Sequence, residues 1–271
     1  AVPTFEIAFL ELLVLGVATL FLVELMMRTV ETDLYALRIC CLDWLWKFLW
    51  KGRNLLWMVY WSIILMIGLV FFRYSYIKNN ANTSTTIARK WFHGLAIVLF
   101  APITYVAPDL MLLGYSVSFS ILLLLERVRT RMRWLDEYYL LFMDEKDRND
   151  TTTNITHLAL LAGCAGPLWI SKYVSTFPPL LPYAGLIVLG VGDSMGAIVG
   201  TTHGRIKWPQ SKRTLEGSGA MFISMLLLTL PFDGCAWWWC LHLTFLEACT
   251  SQLDNLCLPL VGSSLLLSLR R

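Results

Sequence analysis

The sequence predicts an all-α fold, a multi-pass transmembrane helical bundle with about eight or nine apolar segments. Three observations carry that reading. Hydrophobic residues make up 57% of the 271 and charged residues only 15%, against roughly 45–50% and 25% in soluble domains. The apolar residues gather into runs approaching the about 20 residues a helix needs to cross a bilayer. Strands with open edges leave backbone groups unpaired in lipid, so such runs are read as helices.

In chain order, Phe5 to Met27 has the length of a span, with Glu6, Glu11 and Glu24 required to face protein, water or the interface. Leu34 to Trp50 fits two descriptions: a span holding an internal Asp43–Lys47 pair, or a helix lying in the aromatic belt with Trp44, Trp46 and Trp50. Asn54 to Phe72 is uncharged and reads as a span, and Arg73 to Lys90 reads as a polar connection. Trp91 to Pro108 and Leu110 to Leu125 read as a hairpin of short membrane segments turning at Pro108-Asp109. After the long polar stretch Glu126 to Thr153 come Leu158 to Ile170 and Tyr173 to about Gly200, divided by Lys172 and Pro178-Pro179. A central loop, Thr201 to Glu216, precedes Gly217 to Pro231, Ala236 to Ala248 and Leu256 to Leu269. Residues 1–72 are thus N-terminal transmembrane segments and 73–271 a membrane-embedded functional region built around the loop. The chain starts at Ala1, shows no signal-peptide pattern and reads as part of something longer.

If the central loop is cytoplasmic, fourteen of the 22 Lys and Arg residues fall in loops on its side, and only Lys172, Arg270 and Arg271 on the other. That agrees with the positive-inside rule. The N-x-[ST] signals at Asn82, Asn149 and Asn154 then lie on the cytoplasmic side and are expected to be unmodified. A net charge of +3 scattered among loops argues against nucleic acid as a partner and for an anionic headgroup or a nucleotide. The seven cysteines form no C-x-x-C pair and the four histidines no H-x-x-x-H pair, so neither a disulfide framework nor a zinc site is expected.

Chemistry concentrates from Val191 to Gly217. Gly192, Gly196, Gly200 and Gly204 recur every four residues, a stripe that lets helices approach closely. Packing does not explain Asp193, because a carboxylate at the edge of a span marks a functional site; Ser194 beside it is either a further ligand or bonded to its own helix. Lys207, Lys212 and Arg213 suit either a polyphosphate or a lipid headgroup. Thr214 is a good helix N-cap, and the amides it exposes attract anions. Glu216 would repel a phosphate unless a divalent cation lay between them, which makes Asp193 and Glu216 candidate magnesium ligands. Arg89, Lys90 and His93 open a span on the same face, as site residues or as an interfacial anchor. Glu247, Asp254 and Asn255 flank a polar turn richer in acids than a plain hairpin needs. No Walker loop and no protein-kinase signature is present.

Taken together, these residues resemble the dolichol kinase family, in the pattern G-D-[ST]-x-[AG]…G…W-P-x-[ST]-K-[KR]-T-x-E-G. It is carried by Gly192, Asp193, Ser194, Gly196, Gly200, Trp208, Pro209, Ser211, Lys212, Arg213, Thr214, Glu216 and Gly217. Arg89 to His93, Met143 to Asp147 and Glu247 to Leu256 are similar to that family as well, so the resemblance covers about Arg89 to Leu260. Family members are longer at the N-terminus, so this chain resembles their C-terminal half. The resemblance implies a magnesium-dependent enzyme of the endoplasmic reticulum membrane, its CTP-binding loop facing the cytoplasm, that moves the γ-phosphate of CTP to dolichol for protein glycosylation. It implies Gly192, Ser194, Gly196, Arg89, Lys90, Lys207, Thr214 and Asn255 around the nucleotide, Lys212 and Arg213 on its phosphates, and His93, Glu247 or Asp254 as base. Another CTP-dependent lipid alcohol kinase, or a cytidylyltransferase, would use the same loop. A transporter or scaffold would call for inverted repeats, and none is visible.

Overall fold

The computed structural model describes residues 41–78, 85–129, 132, 156–209, 211, 213–232, 236–250 and 254–268. The expected span Phe5 to Met27, the Met143 to Asp147 stretch and Asn82, Asn149 and Asn154 lie outside them. The described residues are predominantly helical, as the sequence predicts, and the single β contact among them is an isolated bridge between Lys207 and Thr214. In chain order the helices are α1 (Cys41–Leu49), α2 (Gly52–Lys78), α3 (Thr85–Val106), α4 (Pro108–Arg129), α5 (Thr156–Tyr173), α6 (Ser194–Thr202), α7 (Leu215–Thr229), α8 (Trp237–Cys249) and α9 (Asp254–Ser268). A 3₁₀ turn (Leu181–Tyr183) and a π-helical segment (Leu186–Asp193) precede α6.

Two helices, Gly52–Phe71 and Pro108–Glu126, are long and apolar enough to cross a membrane, and His93–Val106, Leu186–Thr202, Leu215–Thr229 and Asn255–Ser268 are shorter apolar helices. Three boundaries differ from the sequence reading. Helix continues through Arg73 to Lys78 and resumes at Thr85, so the polar connection is far shorter than Arg73 to Lys90. The break before α4 falls at Ala107, with Pro108 as the first helical residue, a position where its missing N–H costs nothing. Tyr173 to Gly200 is not one helix but coil, 3₁₀, π and α in succession.

The chain divides into two compact units. The first comprises Ala1–Ser62 and Ala107–Leu158. Here Trp44 stacks on Phe48 at 5.0 Å, and Asn54 Nδ2 donates to the Phe48 carbonyl at 2.8 Å, tying the α1–α2 turn. The expected Asp43–Lys47 pair forms at 2.7 Å on the exposed side of α1. At the end of α4 a buried pair, Arg129 on Glu126, closes two bonds of 2.8 and 2.6 Å.

The second unit comprises Ile63–Val106 and Ala159–Arg271 and contains every expected site residue from Arg89 onward. Its helices meet through glycine. A Cβ on Gly163 would collide with the Asn255 carbonyl, so α5 and the start of α9 touch backbone to backbone. Trp239 Nε1 donates to the Gly262 carbonyl at 2.8 Å, fixing α8 on α9. The central contact is an antiparallel seam between α6 and α7. The Cβ positions of Gly192, Gly196, Gly200 and Gly204 meet, in turn, Met225, Gly217 with Met221, Gly217 with Thr214, and Thr214. The four-residue stripe is therefore a packing seam, the first of the two readings the sequence allowed.

Candidate functional site: the two ends of helix α6

At one end of α6 lies Asp193, the last residue of the π-helical segment. Its side chain is 9% exposed, and its Oδ2 lies 3.3 Å from Nε2 of His93, itself 5% exposed, near the start of the apolar part of α3. The approach depends on Gly190, whose Cβ would lie 2.5 Å from Ile97, so the π segment can sit directly on α3. A carboxylate so deeply buried needs a partner or a ligand. Ser194, next in sequence, is buried, and its Oγ finds no hydrogen-bond partner among the described residues. Buried orphan polar atoms are rare and call for an explanation in function or in an unseen ligand.

At the other end, residues 206–215 form a small hairpin. Leu215 N donates to Ile206 O at 2.8 Å and Trp208 N to Arg213 O at 3.0 Å, on either side of the Lys207–Thr214 bridge. Lys207 is exposed. Thr214 is the N-cap of α7 as the sequence predicts, its Oγ1 accepting from Gly217 N at 3.2 Å. Glu216, in the first turn, accepts from Ile206 N at 3.2 and 3.3 Å. Backbone amides, its own first and then those of Arg205 and Ile206, hold its carboxyl below the usual carboxylate range. Thr202, His203, Gly204, Arg205 and Glu216 line an open cleft of about 440 Å³ beside the hairpin.

These two ends are distinct places. With Gly192 beside Met225 and Gly200 beside Thr214 and Gly217, Asp193 and Glu216 stand on the order of 10 Å apart along the α6/α7 axis, at 1.5 Å of rise per residue. Oxygens sharing one magnesium ion each stand about 2.1 Å from it, so the carboxylates expected to act together are not brought together. Among the described residues no three His, Cys, Asp or Glu side chains converge as a metal cluster.

The structure also pairs Arg213, expected on phosphates, with Glu247 of α8: Nε to Oε1 is 2.9 Å, and the Glu247 side chain is 9% exposed. Thr244, one turn earlier on α8, carries a second buried hydroxyl without a partner among the described residues. The Asn255 backbone abuts Gly163, and Gly192 and Gly196 belong to the seam. Arg89 and Lys90 lie in α3 and Asp254 starts α9, but their side chains are outside the described residues, as is all of Lys212. The sequence reading did not single out Ser218 and Phe245, which hold Trp208: Trp208 Nε1 donates to Ser218 Oγ at 3.0 Å, and its ring meets Phe245 edge-on at 6.1 Å. Only the loop's Trp-Pro pair hinted at an anchored loop.

The described residues thus hold two helices long and apolar enough to cross a membrane, a buried acid–imidazole pair and a hairpin that carries Lys207 and Arg213. Sequence comparison agrees with the family resemblance read from the motifs. The chain is 30% identical over 247 residues to dolichol kinase of Homo sapiens, covering 80% of this chain and 46% of that protein. It is 30% identical over 226 residues to a dolichol kinase of Arabidopsis thaliana, covering 77% and 39%, and 28% identical over 244 residues to one of Schizosaccharomyces pombe, covering 80% and 48%. The chain is thus a relative of the dolichol kinases and spans about half the length of the curated relatives it matches. No family model and no solved structure matches it.

Proposed function

We propose that the chain carries the site of a CTP-dependent kinase that phosphorylates dolichol, or a related polyprenol, in the endoplasmic reticulum membrane with the nucleotide entering from the cytosol. The observation that carries the reading is the opposition of the two ends of α6. The exposed end offers Lys207 and Arg213 to a soluble polyphosphate. The other end offers a buried Asp193–His93 pair flanked by apolar helices, where a lipid alcohol need not leave the bilayer. The Lys and Arg distribution supports a cytosolic hairpin, and the names of the relatives support dolichol as acceptor.

Asp193 and Ser194 fit a magnesium ion, because the Ser194 hydroxyl, next in sequence to the buried carboxylate, is itself buried without a partner among the described residues. Magnesium held there would neutralise charge on the phosphates. Glu216, turned toward the Ile206 amide, is left to order the hairpin. His93 presents Nε2 beside the Asp193 carboxylate and takes the hydroxyl proton of the alcohol at that nitrogen, the carboxylate stabilising the imidazolium formed; positioning and charge neutralisation supply the rest of the barrier reduction. The test is to give the protein CTP labelled at the γ-phosphate and a panel of lipid alcohols. Labelled polyprenyl phosphate with CDP release supports the proposal; pyrophosphate release indicates a cytidylyltransferase and refutes it, and transfer to phytol or diacylglycerol in preference to dolichol reassigns the acceptor.

A further inference from the structure

We infer that Glu247 on α8 and Trp208 within the hairpin are positioning residues for nucleotide capture, tying the 206–215 hairpin to α8 and α7 rather than acting on the reacting atoms; this rests on the nucleotide reading of the hairpin given above. Side chains alternate along the two short arms, so Trp208 and Arg213, opposite one another across the Trp208 N to Arg213 O bond, leave the same face. Both reach helices outside the hairpin. Arg213 meets Glu247 at 2.9 Å. Trp208 donates to Ser218 of α7 and lies edge-on to Phe245 of α8, two residues before Glu247. The hairpin is thus held at two points, one on each arm.

The exposure of the pair is lopsided. Glu247 is 9% exposed and Arg213 33% exposed, so the buried carboxylate is the fixed member and the arginine the part facing outward. Removing the anchor leaves Lys207 and Arg213 in the chain but no longer held in one place, and preorganised charge binds an anion better than mobile charge. A group acting through another in this way alters affinity, whereas a base alters turnover.

The experiment compares the wild-type chain in lipid nanodiscs with Trp208→Ala, Trp208→Phe, Glu247→Ala and the double alanine variant. Trypsin cleavage at Lys207, Lys212 and Arg213 is expected to be at least about fivefold faster in each single alanine variant, because local opening exposes the backbone. KM for CTP is expected to rise about tenfold with kcat within about threefold. Trp208→Phe, which keeps a ring against Phe245, recovers most of the affinity. The double variant falls well short of the product of the two singles, because both release the same hairpin. A kcat loss of about a hundredfold at unchanged KM in Glu247→Ala, or wild-type cleavage rates in both single variants, overturns the inference. A wild-type chain that does not consume CTP removes the nucleotide reading only, and the cleavage rates still decide whether these residues grip the hairpin.

Discussion

The two ends of α6 are built on opposite principles. At the Asp193 end, Asp193, Ser194 and His93 are buried, the helix widens to π geometry, and the acid faces an imidazole from a helix a hundred residues earlier. At the hairpin end, Lys207 and Glu216 are exposed or half-buried, backbone amides carry much of the hydrogen bonding, and order comes from a cap, a bridge and two side-chain anchors. Under the proposed function, the difference means that one short helix separates capture from chemistry. Its nine residues correspond to about 13 Å at 1.5 Å each.

Substitutions sharpen the contrast. The largest effect is expected from His93→Gln, which removes the imidazole while leaving a polar group of similar reach. Kcat should fall by about a hundredfold or more, as for loss of a general base, with CTP affinity unchanged in a binding measurement; an affinity loss at constant kcat would move His93 to the capture end. Next comes Gly217→Val at the seam, where a Cβ would already lie 2.7 Å from the Gly196 carbonyl. Overpacking there should destabilise the protein by about 1–3 kcal/mol, read as a lower thermal midpoint in detergent. Thr214→Ala removes the α7 cap and should cost about 1 kcal/mol, seen as faster amide exchange at Gly217 with kcat preserved.

The smallest effect concerns pH. Glu216 has its carboxyl lowered by backbone donors, so its contribution is fully present above the ordinary glutamate value of about 4.3 and is lost only as pH falls through the lower folded value. Amide exchange at Ile206, corrected for its intrinsic pH dependence, should therefore rise only below the usual carboxylate range, and Glu216→Gln should abolish that step.

Much of this architecture is legible in the sequence, because helices in a membrane-like chain announce themselves by long apolar runs, and Thr214 announces a helix start by its type and position. The glycine stripe forecast a seam without naming the partner helix. What escaped was long-range or subtle. Nothing local tells that Asp193 faces His93, or that Arg213 finds Glu247 34 positions later. Glu216 reads as a candidate metal ligand by its charge, and its hydrogen bond from the Ile206 amide, ten positions earlier, is equally invisible in the sequence. The π segment adds a residue per turn within an apolar run, which no composition signal marks. Arg73 to Lys78 continue a helix because polar residues at the end of an apolar helix do not break it.

The most direct test of separated capture and chemistry is Asp193→Asn, measured for CTP binding and for γ-phosphate transfer to dolichol in the same preparation. The account predicts CTP binding within a few-fold of wild type and transfer reduced by about 10²–10³-fold, as when a preorganised charge is removed from a reacting centre. Wild-type transfer by Asp193→Asn, or loss of CTP binding equal to the loss of transfer, would contradict it.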